Sequence, residues 1–164
     1  MLTISNGTLH TSANAITECG DWVVGRTLSV SGAGTITVNG NVSGAGTINI
    51  SGNTFEQRIA VAKNFGTSSG SNSWTFNNLT FSNSATDTSL TVTTVAGTGG
   101  VNVTGNFLIG KTGDDATGTP SPTTLNAGNR VWTLSSTGTP LTILASPQGV
   151  LSGSTSTFTY TGNG

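Results

Sequence analysis

The chain has 164 residues, 24 of them glycine, and only 7% are Asp, Glu, Lys or Arg, against roughly 25% in an ordinary globular domain. The formal net charge is −1, and no basic cluster is present, which argues against binding to nucleic acid or to an anionic membrane surface. No stretch approaches the roughly 18 consecutive apolar residues of a membrane-spanning helix.

The composition predicts a single all-β domain over residues 1–164. Thr and Val favour strands, Gly and Asn favour turns, and good helix formers are scarce. The chain begins directly in the strand-like run Met1–Ser5, without a recognisable signal peptide. We therefore expect either that the numbering is that of a mature or excised part of a longer chain, or that the protein is exported by another route. Cys19 is the only cysteine, so no intramolecular disulfide can form; a repeat fold does not need one, because packing between neighbouring repeats supplies its stability.

Two internal repeats come next along the chain. Ser31–Gly40 recurs as Ser43–Gly52 at a short offset, and Thr27–Gly32 matches Thr47–Gly52 at a longer one. Within them, polar and apolar residues alternate as they do on strands with one buried face. The alternation predicts these inward-facing residues: Leu28, Val30, Ile36, Val38, Ile48, Ile50, Leu90, Val92, Val101 and Val103.

The segment Thr54–Lys63 departs from this pattern, because it contains Glu56, Arg58 and Lys63. It is consistent with either a short helix or an irregular strand that crosses out of the repeat. On a strand, Glu56 and Arg58 would share one face and could pair.

Later segments resemble the repeats without a fixed period. The stretch Gly113–Pro122 contains two prolines and few apolar residues, which predicts a protruding loop. The strand-like run Thr157–Thr161 lies close to the carboxyl terminus. We expect either a fragment of a longer array or a subunit whose end is covered by a neighbour.

Strands of about five residues separated by Gly, Asn and Ser are typical of a sandwich, a barrel or a solenoid. The closely spaced repeats favour a parallel β-solenoid, in which equivalent residues stack at the length of one coil. A β-sandwich is the main alternative.

The runs Val30–Val38, Gly44–Phe55 and Trp74–Phe81 resemble the β-strand repeats of bacterial surface proteins. The likeness is to autotransporter passenger regions and, more distantly, to haemagglutinin-like exoproteins. The resemblance implies an extracellular β-solenoid acting as a stalk, adhesin or fibre, and it brings no catalytic residues.

Few residues suggest chemistry. Asp114 and Asp115 are adjacent in a Gly/Thr-rich loop, where oxygen ligands could bind Ca²⁺, although a solvated turn explains them as well. Otherwise no cofactor is expected. His10 is the only histidine, which excludes a multi-histidine metal site. Burial of Cys19 accounts for that residue better than a Cys19–His10 nucleophile and base does.

Threonine pairs and tryptophans are the candidate binding residues. Outward Thr35, Thr37, Thr91 and Thr93 could form a flat uncharged face, although Thr is also an ordinary solvent-facing strand residue. Trp74 and Trp132 could stack on sugars, but their large apolar area favours core positions.

The sequence thus predicts a non-catalytic structural or adhesive module at the cell surface or outside the cell. We expect it to associate with itself or with neighbouring repeats, to form fibres, and to contact surface glycans. The alternative function is a carbohydrate- or ice-binding module. Neither nucleic-acid binding nor a membrane span is expected.

Overall fold

A computed structural model describes residues 1–5, 15–66, 73–85, 88–95, 99–110, 122–145 and 148–162. These residues form 17 strands and no helix, so the predicted all-β class is confirmed. The strands are β1 Leu2–Ile4, β2 Ile16–Cys19, β3 Trp22–Val24, β4 Thr27–Ser31, β5 Thr35–Val38, β6 Val42–Ser43, β7 Thr47–Ile59, β8 Lys63–Phe65, β9 Trp74–Asn83, β10 Leu90–Thr94, β11 Val101–Val103, β12 Phe107–Ile109, β13 Thr123–Asn126, β14 Val131–Leu134, β15 Leu141–Ile143, β16 Gly149–Ser152 and β17 Thr157–Tyr160.

Every pairing among these strands is parallel. A first sheet has seven strands in the order β1-β3-β6-β8-β10-β13-β16. A second sheet has ten strands, of which seven follow the order β17-β14-β11-β9-β7-β5-β2, while β4, β12 and β15 pair off this path. The second sheet contains two side-by-side rows of strands, because the long strands β7 and β9 each belong to both rows. Residues 47–51 of β7 pair with β4, and residues 54–57 pair with β5.

The strands therefore form three columns. The first column is the seven-stranded sheet. The second column contains β4, the start of β7, the start of β9, β11, β14 and β17. The third column contains β2, β5, the end of β7, the end of β9, β12 and β15.

From β3 onward, the described chain visits the first, second and third columns in the same cyclic order. We call one passage of the chain through the three columns a turn, so that register partners lie one turn apart. The turn from Leu2 to Trp22 contains fewer residues than the turn from Phe107 to Leu141. The longer repeat offset seen in the sequence is one such turn, since Thr27 pairs with Thr47. The shorter offset instead aligns β5, which lies in the third column, with the start of β7, which lies in the second column.

All ten predicted inward-facing residues are buried. They surround a continuous series of aromatic rings whose neighbouring centroids are 5.0 to 5.9 Å apart. Rings at these separations attract one another beyond the free energy of simple area burial. In order of contact the series is Trp22, Phe55, Phe76, Phe65, Phe81, Phe107, Trp132 and Phe158.

Close stacking of corners, the segments that join one column to the next, explains the glycines in the second copy of the Ser-Gly-Ala-Gly motif, residues 43–46. Gly44 has a φ of 112°, a conformation that L side chains rarely adopt. A Cβ on Gly46 would lie 1.7 Å from the carbonyl oxygen of Arg26, one turn earlier. Glycine is required at Gly44 and Gly46 because the backbone there lies directly against the backbone of Val24 and Arg26, one turn earlier.

The segment that departs from the sequence pattern stays within the stack. Residues 54–59 are the end of β7, in register with β9 and, through residue 57, with β5. Neither a helix nor a strand leaving the repeat is observed there. Gln57 is fully buried, and its Nε2 donates to the carbonyl oxygens of Gly40 at 2.8 Å and Asn64 at 3.1 Å. These two hydrogen bonds offset the desolvation of the amide nitrogen inside the core.

Candidate functional site

The four candidate threonines lie on two different faces. Thr35 and Thr37 are on β5 in the third column, whereas Thr91 and Thr93 are on β10 in the first column. Thr35 pairs with Thr54 on the next strand of the third column, whereas Thr37 pairs with Glu56, so the row that contains Thr37 does not continue as threonine. These residues do not form one flat binding face.

The two candidate tryptophans lie in the core. Trp74 is 4% exposed and Trp132 is fully buried. Their indole nitrogens donate to the backbone carbonyl oxygens of Gly46 at 2.9 Å and Ala127 at 3.3 Å. Burial of both rings matches the core placement that their size favours, and it removes them from any sugar-stacking surface.

Two carboxylates, those of Asp21 and Glu56, are held by hydrogen bonds within the stack. Oδ1 of Asp21 accepts from the backbone nitrogen of Asn41 at 2.7 Å and from its side-chain nitrogen at 3.2 Å. Glu56 is 5% exposed and accepts a 2.7 Å hydrogen bond from the hydroxyl of Ser82. Both side chains join one turn to the next.

The calcium candidates Asp114 and Asp115 lie outside the described residues, as does all of the predicted loop except Pro122. Within the described ranges, no group of three or more His, Cys, Asp or Glu side chains is placed to hold a metal ion.

Cys19 is half-buried, and its thiol donates to the carbonyl oxygen of Thr37 at 3.5 Å. Burial raises the pKa of this thiol above its ordinary value. Less thiolate is therefore present at neutral pH, which lowers its reactivity as a nucleophile. His10, the candidate base, is outside the described residues.

The second column carries an outward row that the sequence did not predict. We call it the hydroxyl–amide row. It crosses the six strands of that column, with each member paired directly to the next, and it would be about 24 Å long at roughly 4.8 Å per strand. Its members are Ser29, Asn49, Thr75, Asn102, Thr133 and Thr159.

The row is polar, uncharged and at least partly exposed along its whole length. The amide of Asn102 donates to the hydroxyl of Thr75 at 3.4 Å, so neighbouring members align one another. The second-column residues 27–31, 47–51, 74–76, 101–103, 131–134 and 157–160 include no Asp, Glu, Lys, Arg or His.

A fixed-period search does not find the hydroxyl–amide row, because its members are unevenly spaced along the chain. Ser29 and Asn49 lie closer together in the sequence than Asn102 and Thr133 do, although both are directly paired. Loops of different length at the corners change the spacing from turn to turn. The only usable sequence feature was the longer of the two repeat offsets, which pairs Ser29 with Asn49.

Comparison with known proteins gives no match to a family model, a curated protein or a solved structure. The described part of the chain also contains no helix that is long and apolar enough to cross a membrane. The class of protein is therefore defined by its architecture, which is all-β with parallel strands stacked in three columns.

Proposed function

We propose that this chain is a three-sided parallel β-solenoid that acts as a non-catalytic structural and adhesive module outside the cell. The observation that supports it is the cyclic column order, in which each strand pairs with the strand one full turn away. In an antiparallel sandwich, consecutive strands commonly pair with each other through hairpins. Here consecutive segments lie in different columns.

The polar groups favour a structural role over a catalytic one. Asp21 and Glu56 each accept hydrogen bonds that join neighbouring turns. Arg130 is 5% exposed, and its guanidinium donates to the carbonyl oxygens of Val95 and Gly99, both at 2.8 Å. The arginine satisfies backbone atoms at a corner, where a stack of short strands lacks ladder hydrogen bonds.

The surface and the resemblance favour a location outside the cell. Stacking of turns supplies stability without disulfides, and a hydroxyl- and amide-rich surface is the pattern shared with bacterial surface repeats. We propose that contact with other surfaces occurs through these neutral side chains.

A display experiment tests the adhesive role. Bacteria that carry the chain at their surface are expected to attach to glycan-coated and abiotic surfaces more than cells carrying an unrelated β-solenoid of the same length. Thr75→Glu places a charge on the second column and should reduce attachment, whereas its matched control Thr124→Glu places one on the first column. Equal attachment by displaying and control cells would refute adhesion.

A second candidate function is recognition of a neutral carbohydrate or of ice, because the hydroxyl–amide row offers aligned donors and acceptors without charge. The double variant Thr75→Ala and Asn102→Ala is expected to weaken binding to an insoluble neutral polysaccharide, or to abolish thermal hysteresis in freezing solutions. Thr91→Ala and Thr124→Ala on the first column provide the control. An effect of equal size in both double variants would contradict a role for the row.

A further inference from the structure

Tripeptides of the form Asn-x-Ser/Thr recur along the chain. They begin at Asn6, Asn41, Asn49, Asn78 and Asn102, and the middle residue is never proline. Such a tripeptide is the acceptor for N-linked sugars. A chain rich in Asn, Ser and Thr contains some of them by chance, so the surroundings of each asparagine have to distinguish a usable acceptor. Asn6 lies outside the described residues.

Three of the four described asparagines use the amide nitrogen to join neighbouring turns. Each is only partly exposed, and its Nδ2 donates to a side-chain oxygen on the preceding turn. The three contacts are Asn41 to Oδ1 of Asp21 at 3.2 Å, Asn78 to Oγ1 of Thr54 at 3.4 Å, and Asn102 to Oγ1 of Thr75 at 3.4 Å. A sugar on any of these nitrogens would crowd a contact between turns.

Asn49 differs from these three asparagines. Its side chain is exposed and makes no hydrogen bond within the described part of the chain. Ser51 is exposed on the same outward face of β7, because residues two apart on a strand point the same way. Ile50 between them is fully buried and anchors the strand to the core. The amide and the hydroxyl that define the tripeptide are therefore presented to solvent together.

The fold leaves room for a sugar on Asn49. Its register neighbours in the hydroxyl–amide row, Ser29 and Thr75, both have small side chains. The backbone at Asn49 is held between β4 and β9, in a ladder on both sides. A transferase therefore has to act while the chain is still extended, and the stacking of turns then decides which modified asparagines the folded protein tolerates.

We propose that Asn49 is an acceptor for N-linked glycosylation. Its Nδ2 attacks the anomeric carbon of a sugar activated as a diphosphate ester. The nitrogen–carbon bond forms as the carbon–oxygen bond to the diphosphate breaks, the diphosphate leaves with the bonding electrons, and a base of the transferase takes the amide proton. The inference rests on the location outside the cell in the proposed function. The attached sugar would enlarge the neutral, hydroxyl-rich surface of the second column.

The test secretes the full chain from yeast behind a cleavable signal sequence, beside a secreted reporter that carries one N-linked sugar. Folded, monodisperse protein is treated with peptide-N-glycosidase in heavy-oxygen water, which leaves a labelled aspartate wherever a sugar was attached. Peptide mass spectrometry should find this label at position 49. An unmodified Asn49 in the folded chain, with the reporter modified, would overturn the inference.

Three variants separate acceptor chemistry from a structural effect. Ser51→Ala keeps Asn49 but removes the hydroxyl of the tripeptide, so the label at position 49 should disappear while stability changes by no more than about 0.5 kcal/mol. Ser51→Thr keeps the tripeptide and should keep the label. Ser43→Ala, the matched control, removes the tripeptide of Asn41 and should leave the label at position 49 unchanged. A folded Ser51→Ala chain that kept the label would overturn the assignment, as would its loss in Ser43→Ala.

Attachment of yeast cells that display the chain separates this inference from the proposed function. Displaying cells that attach, although Asn49 of the displayed chain carries no sugar, would overturn the acceptor and leave adhesion standing. A modified Asn49 on cells that attach no better than control cells would refute adhesion and leave the acceptor standing.

Discussion

Replacement of Trp132 tests whether the aromatic series stabilises the stack. Its ring stacks on Phe107 at 5.2 Å with an interplanar angle of 5°, and on Phe158 at 5.8 Å with an angle of 13°. The side chain is fully buried. Trp132→Ala removes both contacts and leaves a cavity, so the free energy of unfolding should fall by about 3–5 kcal/mol. We expect the upper half of that range, because two stacked pairs are lost together.

The assay is urea unfolding followed by far-UV circular dichroism, a signal that does not depend on tryptophan. Trp132→Phe keeps an aromatic ring in the stack and should lose about half as much stability or less. Thr133→Ala, on the outward side of the same strand, should change stability by no more than about 0.5 kcal/mol. A loss below about 1 kcal/mol in Trp132→Ala would refute the stacked core, since surface substitutions alone reach half that size.

Three further predictions use the same stability assay or a chemical one. Gly46→Ala should lower the free energy of unfolding by at least roughly 1–3 kcal/mol, the usual effect of overpacking, because its Cβ would lie 1.7 Å from a backbone carbonyl oxygen. Gly138→Ala should be nearly neutral, since nothing lies within 4 Å of that Cβ; similar losses in both would contradict tight corner stacking. Arg130→Met should lower the free energy of unfolding by about 3 kcal/mol, because two charge-assisted hydrogen bonds are lost. A change under about 0.5 kcal/mol would show that the corner does not need these hydrogen bonds. Alkylation of Cys19 at pH 8 should be slower than in the urea-unfolded chain, because its raised pKa leaves less thiolate in the folded state; equal rates would contradict the burial of the thiol.

The sequence was sufficient to predict the inward and outward alternation of the strands. Side chains at Ile36 and Val38, or at Val101 and Val103, face one side because the strand period is fixed by the backbone. The prediction needed no knowledge of which strands pair. The all-β class followed from the same local rule, together with the scarcity of helix formers.

The sequence was not sufficient to assign strands to columns. The spacing between partners is wider at Asn102 and Thr133 than at Ser29 and Asn49, because the corner loops differ in length. Thr35 and Thr91 therefore look equivalent in the sequence but occupy different columns.

The buried polar residues were also missed, because their partners are distant in sequence. Glu56 suggested a surface strand or a helix, yet it is buried against Ser82, which lies on the next turn. Gln57 reaches backward to the backbone of Gly40 in the previous turn. Neither partner can be identified until the length of each turn is known.

Disulfide trapping of register partners tests the stacked-column architecture most directly. In a Cys19→Ser background, Asn49→Cys with Thr75→Cys places two thiols on paired neighbouring strands, at a separation that a disulfide can span. Asn49→Cys with Thr91→Cys places them in different columns and serves as the control. The account predicts a rapid intramolecular disulfide in the first protein, seen by intact mass and gel mobility, and free thiols in the second. Free thiols in the first protein, with the chain folded, would contradict the stacking of turns.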